Sequence, residues 1–275
     1  MSADTKQNLI TQNTITIDGQ EIPFQAGQTI MDAALAAGVY IPHLCHRQGL
    51  TPHGSCKLCV VDIASRSASS HNSNRRLQAK FAVDADSRSA SACTMPAVAG
   101  QQISNNTPAL NEVRKTITQM LFIEGNHICP SCEKCGDCTL QAMAYHLGML
   151  DGHFPQFFQH REVDASHPTI MLDRDRCILC ELCVRASREV DGKNVFAIAG
   201  RGINAHLVVN SASGKLVDSD LETSDMAAHI CPVGAILIKE HGYEVPIGQR
   251  TFDLHQVSEI GLEKIILTKA RQPDE

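Results

Sequence analysis

The chain is 275 residues long, enough for two or three small domains, each with a modest core. Hydrophobic residues make up 43%, which argues against wholesale disorder, and 24 basic and 30 acidic side chains leave a net charge of −6. That balance excludes the electrostatic footprint of a nucleic-acid-binding protein or of one held on an anionic membrane surface.

Residues 1–8 hold no basic stretch followed by an apolar one, so no secretory signal is read there. No run approaches the roughly 18 apolar residues of a membrane span. Even 29–45 is interrupted by Asp32 and His43. A reducing, cytoplasmic setting is expected, in which the twelve cysteines read as metal ligands rather than disulfides.

Residues 14–18 alternate, Asp18-Gly19 marks a hairpin turn, and 21–24 alternate again. Residues 28–38 place Ile30, Ala33, Ala34 and Ala37 at helical spacing, with Gly38 as the cap. A hairpin, a helix and then a cysteine loop suit a β-grasp ferredoxin over 12–106. Within it, 65–91 turns to Ser, Arg and Asn, with Arg66, Arg75, Arg76, Lys80 and Arg88. This stretch reads as an inserted loop or hairpin extension, a solvated excursion rather than a dock for an acidic partner. Thr107 is the expected N-cap of a helix over 108–124 with Leu110, Val113, Ile117, Leu121 and Phe122 on one stripe. A cysteine knot at 127–138 and a helix over 140–150 complete a small helical domain, 107–165. A ferredoxin-like unit is expected over 166–240. The tail, 241–275, is expected to pack on the body or on a partner. The fold class is therefore α+β.

The cysteines fall into three groups of four. Cys45, Cys56, Cys59 and Cys93 have the spacing Cys-x10-Cys-x2-Cys, then a distant single cysteine. A 2Fe–2S cluster needs four thiolates, and Gly49, Thr51, Gly54 and Ser55 suit a loop that aims backbone N–H groups at sulfur. A zinc ribbon would want two Cys-x2-Cys pairs, and here Cys45 and Cys93 stand alone. The second group is crowded: His127, Cys129, Cys132, Cys135 and Cys138 offer five ligands to a 4Fe–4S cluster that takes four. Spacing leaves open whether His127 or Cys135 is the spare. The third group, Cys177, Cys180 and Cys183 with the distant Cys231-Pro232, resembles half of a bacterial ferredoxin run. Position 187 is serine and no second triplet follows, so these four are expected to hold one 4Fe–4S cluster.

No Gly-x-Gly-x-x-Gly and no phosphate-binding Gly-x4-Gly-Lys-Ser/Thr occurs, so flavin and nicotinamide sites are assigned to a partner and no catalytic residue to this chain. His43 and His46 beside Cys45, and His229 near Cys231, read as ordinary loop polarity ahead of a role as donors to sulfur.

The string Gly125-Asn-His127-x-Cys129-x2-Cys132-x5-Cys138 lies between the first ferredoxin pattern and the third triplet. The phrases Asp173-Arg-Asp-Arg-Cys177 and Arg185-Ala-Ser-Arg-Glu-Val-Asp-Gly192 add to it. Together, over about 13–240, they resemble the iron–sulfur subunit of the diaphorase half of soluble NAD-reducing nickel–iron hydrogenases. That subunit is itself similar to the N-terminal part of the large iron–sulfur subunit of respiratory complex I. The resemblance implies His127, Cys129, Cys132 and Cys138 as ligands of the second cluster, with Cys135 spare. It implies an electron-transfer subunit with one 2Fe–2S and two 4Fe–4S clusters, placed between a flavin- and NAD-binding subunit and nickel–iron hydrogenase small and large subunits. The 33-residue gap between Cys59 and Cys93 and the extra Cys135 depart from the family pattern. The competing expectations are a subunit of a NAD-dependent formate dehydrogenase or complex I-type assembly, and, in another class, a zinc-stabilised scaffold.

Overall fold

The computed structural model describes residues 13–64, 87–157 and 160–261. Strands β1 (Thr14–Ile17) and β2 (Gln20–Pro23) form an antiparallel hairpin that pairs Ile15 with Ile22. Alternation turns Ile15, Ile17 and Ile22 into the core. Asp18 and Gly19 both take positive φ, 48° and 86°, the conformation a two-residue hairpin turn requires. Helix α1 (Ile30–Ala36) starts at Thr29, whose hydroxyl accepts from the Asp32 N–H while Asp32 accepts from the Thr29 N–H. It lays Ile30, Met31, Ala33 and Ala34 on the sheet. Strands β3 (Val60–Ala64), β4 (Ser87–Ser91) and β5 (Gln102–Ser104) complete the order β2-β1-β5-β3-β4, with β1 and β5 parallel and the other pairs antiparallel. This is the β-grasp arrangement.

The stretch read as an inserted loop or hairpin extension over 65–91 ends in a strand of the sheet. Residues 87–91 are β4, paired residue for residue with β3 from Val60–Ser91 to Ala64–Ser87. The sequence Ser-Arg-Ser-Ala-Ser has no apolar alternation, so its extended state comes from the partner strand rather than from propensity. Residues 65–86 lie outside the described residues.

Helix α2 (Pro108–Ile123) is capped by Thr107, whose hydroxyl accepts from the Leu110 N–H. Its buried face runs through Leu110, Arg114, Thr118 and Gln119, whereas Val113 is 41% exposed. The rest of the expected apolar stripe holds, since Leu110 is buried and Ile117, Leu121 and Phe122 pack half-buried against a core cluster; the buried face is widened by Arg114, whose guanidinium seats α2 on the ferredoxin domain. Helix α3 (Thr139–His146) begins at Cys138 and stops short of residue 150, where Gly148 adopts φ 60°. It packs against α2 through Leu140, Ala142 and Met143.

In the third unit, β6 (Val163–Asp164), β7 (Ile170–Asp173) and the later β10 (Ile236–Ile238) form an antiparallel sheet ordered β10-β7-β6. Its sheet therefore reaches back to 163. Helix α4 (Leu182–Glu189), the hairpin β8 (Phe196–Ala199) and β9 (His206–Val209), and helix α5 (Met226–His229) pack around Ile170, Leu172, Phe196 and Leu207. Short helices α6 (Thr251–Leu254) and α7 (Val257–Ile260) then turn back on the body, burying Val257 and Ile260. The rest of the tail, 262–275, lies outside the described residues. Among the described residues no helix is long and apolar enough to cross a membrane.

Candidate metal centres

The loop between α1 and β3 and the turn after β4 bring the first group together. Cys59 and Cys93 are 0% exposed and Cys45 is 1% exposed. The Cys59 and Cys93 sulfurs are 3.3 Å apart, and the Cys56 N–H points at the Cys45 sulfur at 3.4 Å. Hydrogen bonds from Cys56 and Cys93 hold the Cys45 thiol below the usual thiol range, and Cys93 does the same for Cys59. Cys56 and Cys93 are pushed up by those same contacts and by burial. A dry quartet of thiols hinders its own complete ionisation, since each thiolate raises the next; a compensating iron centre removes that conflict. Gly54, at φ 72°, lets the loop close: a Cβ there would meet Thr94 Cγ2 at 3.2 Å.

The third group converges in the same way. Cys177, Cys180, Cys183 and Cys231 line one apolar cavity under Leu207, Val233 and Ile236. Leu179 and Glu181 take left-handed φ of 53° and 57°, which winds the loop around that cavity. Burial pushes the Cys177 thiol up to about 11, and Cys180 and Cys183 also rise well above the ordinary value. A soft cation in the cavity stabilises the thiolates that burial alone disfavours, so the donor set fits.

Apart from the buried Cys138, the cysteines of the second group are half-buried, and side-chain and backbone donors surround them. Arg176 Nη1 lies 3.7 Å from the Cys132 sulfur, and the Gln141 N–H 3.5 Å from Cys138. Cys135 receives two donors, Arg250 Nη1 at 3.2 Å and Gln141 Nε2 at 3.4 Å. His127 Nε2 is buried with no hydrogen-bond partner. Burial lowers its pKa to about 4, aided by Arg176, so the ring is neutral. A Cβ on Gly125 would come 2.4 Å from Nε2, and one on Gly234 would come 2.9 Å from the Cys132 sulfur. A neutral imidazole with an unsatisfied nitrogen, kept clear by glycines, fits a metal ligand.

Three arginines brace the groups, two of them joining one group to another; the sequence reading gave none a role, although Arg176 and Arg185 stand in the phrases that carry the resemblance. Arg114, 1% exposed, donates to the carbonyls of Leu58 (3.0 Å) and Val60 (2.8 Å), on either side of Cys59, and to Asn105. Arg185 reaches from α4 to the carbonyls of Cys45 (2.5 Å), Thr51 (2.8 Å) and Cys180 (3.3 Å), joining the first and third groups. Arg176, next to Cys177, sends its guanidinium to Cys132, Glu133 (2.6 Å) and Asp173 (2.9 Å), joining the third and second. The Thr139 N–H also donates to the Pro232 carbonyl at 2.9 Å. An isolated arginine carries no spacing signature, so only its contacts reveal these roles. Of the neighbouring histidines, His43 Nδ1 meets the Ile41 carbonyl and His229 Nε2 the Thr223 carbonyl, while both ring nitrogens of buried His46 lack a hydrogen-bond partner.

Three family models match in chain order. They are a 2Fe-2S iron-sulfur cluster binding domain at 11–108, an NADH-ubiquinone oxidoreductase-G iron-sulfur binding region at 114–153, and a 4Fe-4S single cluster domain at 170–238. The chain is 37% identical to the gamma subunit of the NAD-reducing hydrogenase HoxS of Cupriavidus necator, over 90% of this chain and 97% of that one. It is 29% identical to the mitochondrial NADH-ubiquinone oxidoreductase 78 kDa subunit of Candida albicans, over 88% of this chain but 30% of that one, so it spans under a third of that relative. Among solved structures it superposes on a chain of an NAD+-reducing [NiFe]-hydrogenase in the H2-reduced state. There the TM-score is 0.79 and the identity 46%, over 90% of this chain and 96% of that one.

Proposed function

Because the chain belongs to the family of the NAD-reducing hydrogenase gamma subunit, we infer that it is the iron–sulfur electron-transfer subunit of such an enzyme and performs no bond chemistry itself. Its first group (Cys45, Cys56, Cys59, Cys93) holds a 2Fe–2S cluster. Its third (Cys177, Cys180, Cys183, Cys231) holds one 4Fe–4S cluster, and its second (His127, Cys129, Cys132, Cys138) another. The partners are a flavin- and NAD-binding subunit and the small and large nickel–iron hydrogenase subunits, in the cytoplasm. Iron–sulfur clusters on such ligands take up and release single electrons.

The observation that carries this reading is the contact between ligand loops. The third group's loops touch both others, through Arg185 on one side and Arg176 and Pro232 on the other. Loops of the third group thus bridge the other two, a connection their sequence order does not suggest. Its residues do three things: they present thiolates, exclude water from the first and third groups, and place fixed N–H donors around the second.

Protein prepared without air should contain about ten irons per chain, with matching acid-labile sulfide and several distinct EPR signals on reduction. An iron-free or zinc-only product would end this reading. Co-purifying nickel fits a hydrogenase partner, whereas molybdenum or tungsten would redirect the assignment to a formate dehydrogenase.

A further inference from the structure

The second group offers five ligands, and the surroundings of two of them differ in kind. His127 Nε2 is buried without a partner. The Cys135 sulfur is engaged by two side chains that are themselves held in place. Gln141 is 6% exposed, and its Oε1 accepts the Gly136 N–H at 2.8 Å, which leaves its Nε2 to donate to Cys135. Arg250 is gripped by Asp253 through Nε–Oδ2 at 2.7 Å and Nη2–Oδ1 at 2.8 Å, leaving Nη1 directed at the same sulfur. The segment that carries Arg250 is locked to the knot as well. The Phe252 N–H donates to the Gly136 carbonyl at 2.9 Å, and the Thr251 N–H to Asp137 at 3.1 Å. The guanidinium lies where a side chain on residue 136 would stand: a Cβ there would be 2.2 Å from Arg250 Nε.

We propose that Arg250, with Gln141, keeps Cys135 out of the ligand set of the second cluster, so that His127 supplies the fourth ligand. The inference rests on the assignment of a cluster to this group made above. The charge-assisted bond from Arg250 and the neutral amide bond from Gln141 together hold the Cys135 sulfur in place outside the cluster. Its exchange for His127 would require the thiol proton to leave for solvent, the imidazole to detach as the neutral base, and a fourth thiolate to bind. That exchange makes the site one charge more negative, which lowers its potential. Arg250 is a positioning residue in this scheme, since it acts through Cys135.

The test compares the full chain, reconstituted without air, with Arg250→Met, Cys135→Ser and the double variant. Pulsed EPR for imidazole nitrogen coupling and redox titration serve as readouts. The expected result is nitrogen coupling in the parent and in Cys135→Ser, its loss from most centres in Arg250→Met together with a fall in potential, and its return in the double variant. Unchanged coupling in Arg250→Met overturns the proposal. So does loss of coupling in both Arg250→Met and the double variant, since a merely disrupted fold would not be rescued by removing Cys135. A parent without nitrogen coupling whose signal is lost in Cys135→Ser overturns it too, whereas failure of the underlying assignment looks different: neither the parent nor any variant would show a cluster signal from this group.

Discussion

The first and second groups sit in one chain and solve the same problem by different physics. Around the first, the protein supplies burial: three of the four cysteines are at most 1% exposed, with Cys59 and Cys93 in sulfur contact in the ferredoxin core and Cys45 and Cys56 in the adjoining core cluster. Around the second, it supplies directed polarity: Arg176 points an N–H at the half-buried Cys132 sulfur and the Gln141 backbone N–H points at Cys138, while Arg250 and the Gln141 side chain engage Cys135. Burial disfavours charge at a site, whereas N–H donors and nearby cations favour it. One chain can therefore surround its candidate centres with opposite electrostatic conditions. The difference also shows which substitutions should cost folding and which should change only electronics.

The largest contrast is in cluster retention. Cys93 belongs to the core cluster of the ferredoxin domain and is 0% exposed. Cys93→Ser should remove the 2Fe–2S signal, lower the iron content by about two atoms per chain, and leave the other signals in place. Loss of all signals together would show that the first group's burial supports the whole chain, and the comparison would have to be redrawn.

Next in size is Arg114. It is buried, and burial lowers its pKa to about 10, offset in part by Cys59 and Tyr40. Arg114→Met leaves the carbonyls of Leu58, Val60 and Asn105 without their donor in a dry interface. The expected loss is about 3 kcal/mol in denaturant unfolding of the cluster-loaded protein. The first centre should become easier to strip, and the second should keep its potential. An unchanged unfolding midpoint would mean that water replaces the guanidinium.

Much of this was legible before any coordinates. Hairpin, helix and cysteine loop follow from alternation, Asp18-Gly19 and the helical spacing that ends at Gly38, all of them local signals. The partition of the cysteines into three quartets follows from spacing. Strand β4 was not legible, because Ser-Arg-Ser-Ala-Ser becomes a strand only when β3 is there to pair with it. Nor was the burial of Arg114 beside the apolar stripe of α2, since a hydrophobic pattern scores arginine as exposed. The surroundings of His127 and Cys135 were beyond reach for a third reason. The residues that treat them differently, Arg176 and Arg250, lie more than forty and more than a hundred positions away in sequence.

The smallest effect is the most specific to the second group. Arg176 Nη1 is shared between the Cys132 sulfur and Glu133, and its Nε pairs with Asp173. Desolvation pushes the Glu133 carboxyl up, but a backbone hydrogen bond and Arg176 outweigh it, so Glu133 stays ionised. Arg176→Met removes a positive charge and an N–H donor from the cluster's edge. The second centre's potential should fall by about 1 kcal/mol, or about 40 mV for one electron, while the first centre's stays put. Glu133→Gln removes the opposing charge and frees Nη1 for sulfur, so it should move the same potential upward by a smaller amount. The opposite signs matter more than the sizes, because general loosening of the knot would shift both variants the same way. Same-direction shifts, or a shift of the first centre, would show that Arg176 holds the loops together without tuning the sulfur it faces.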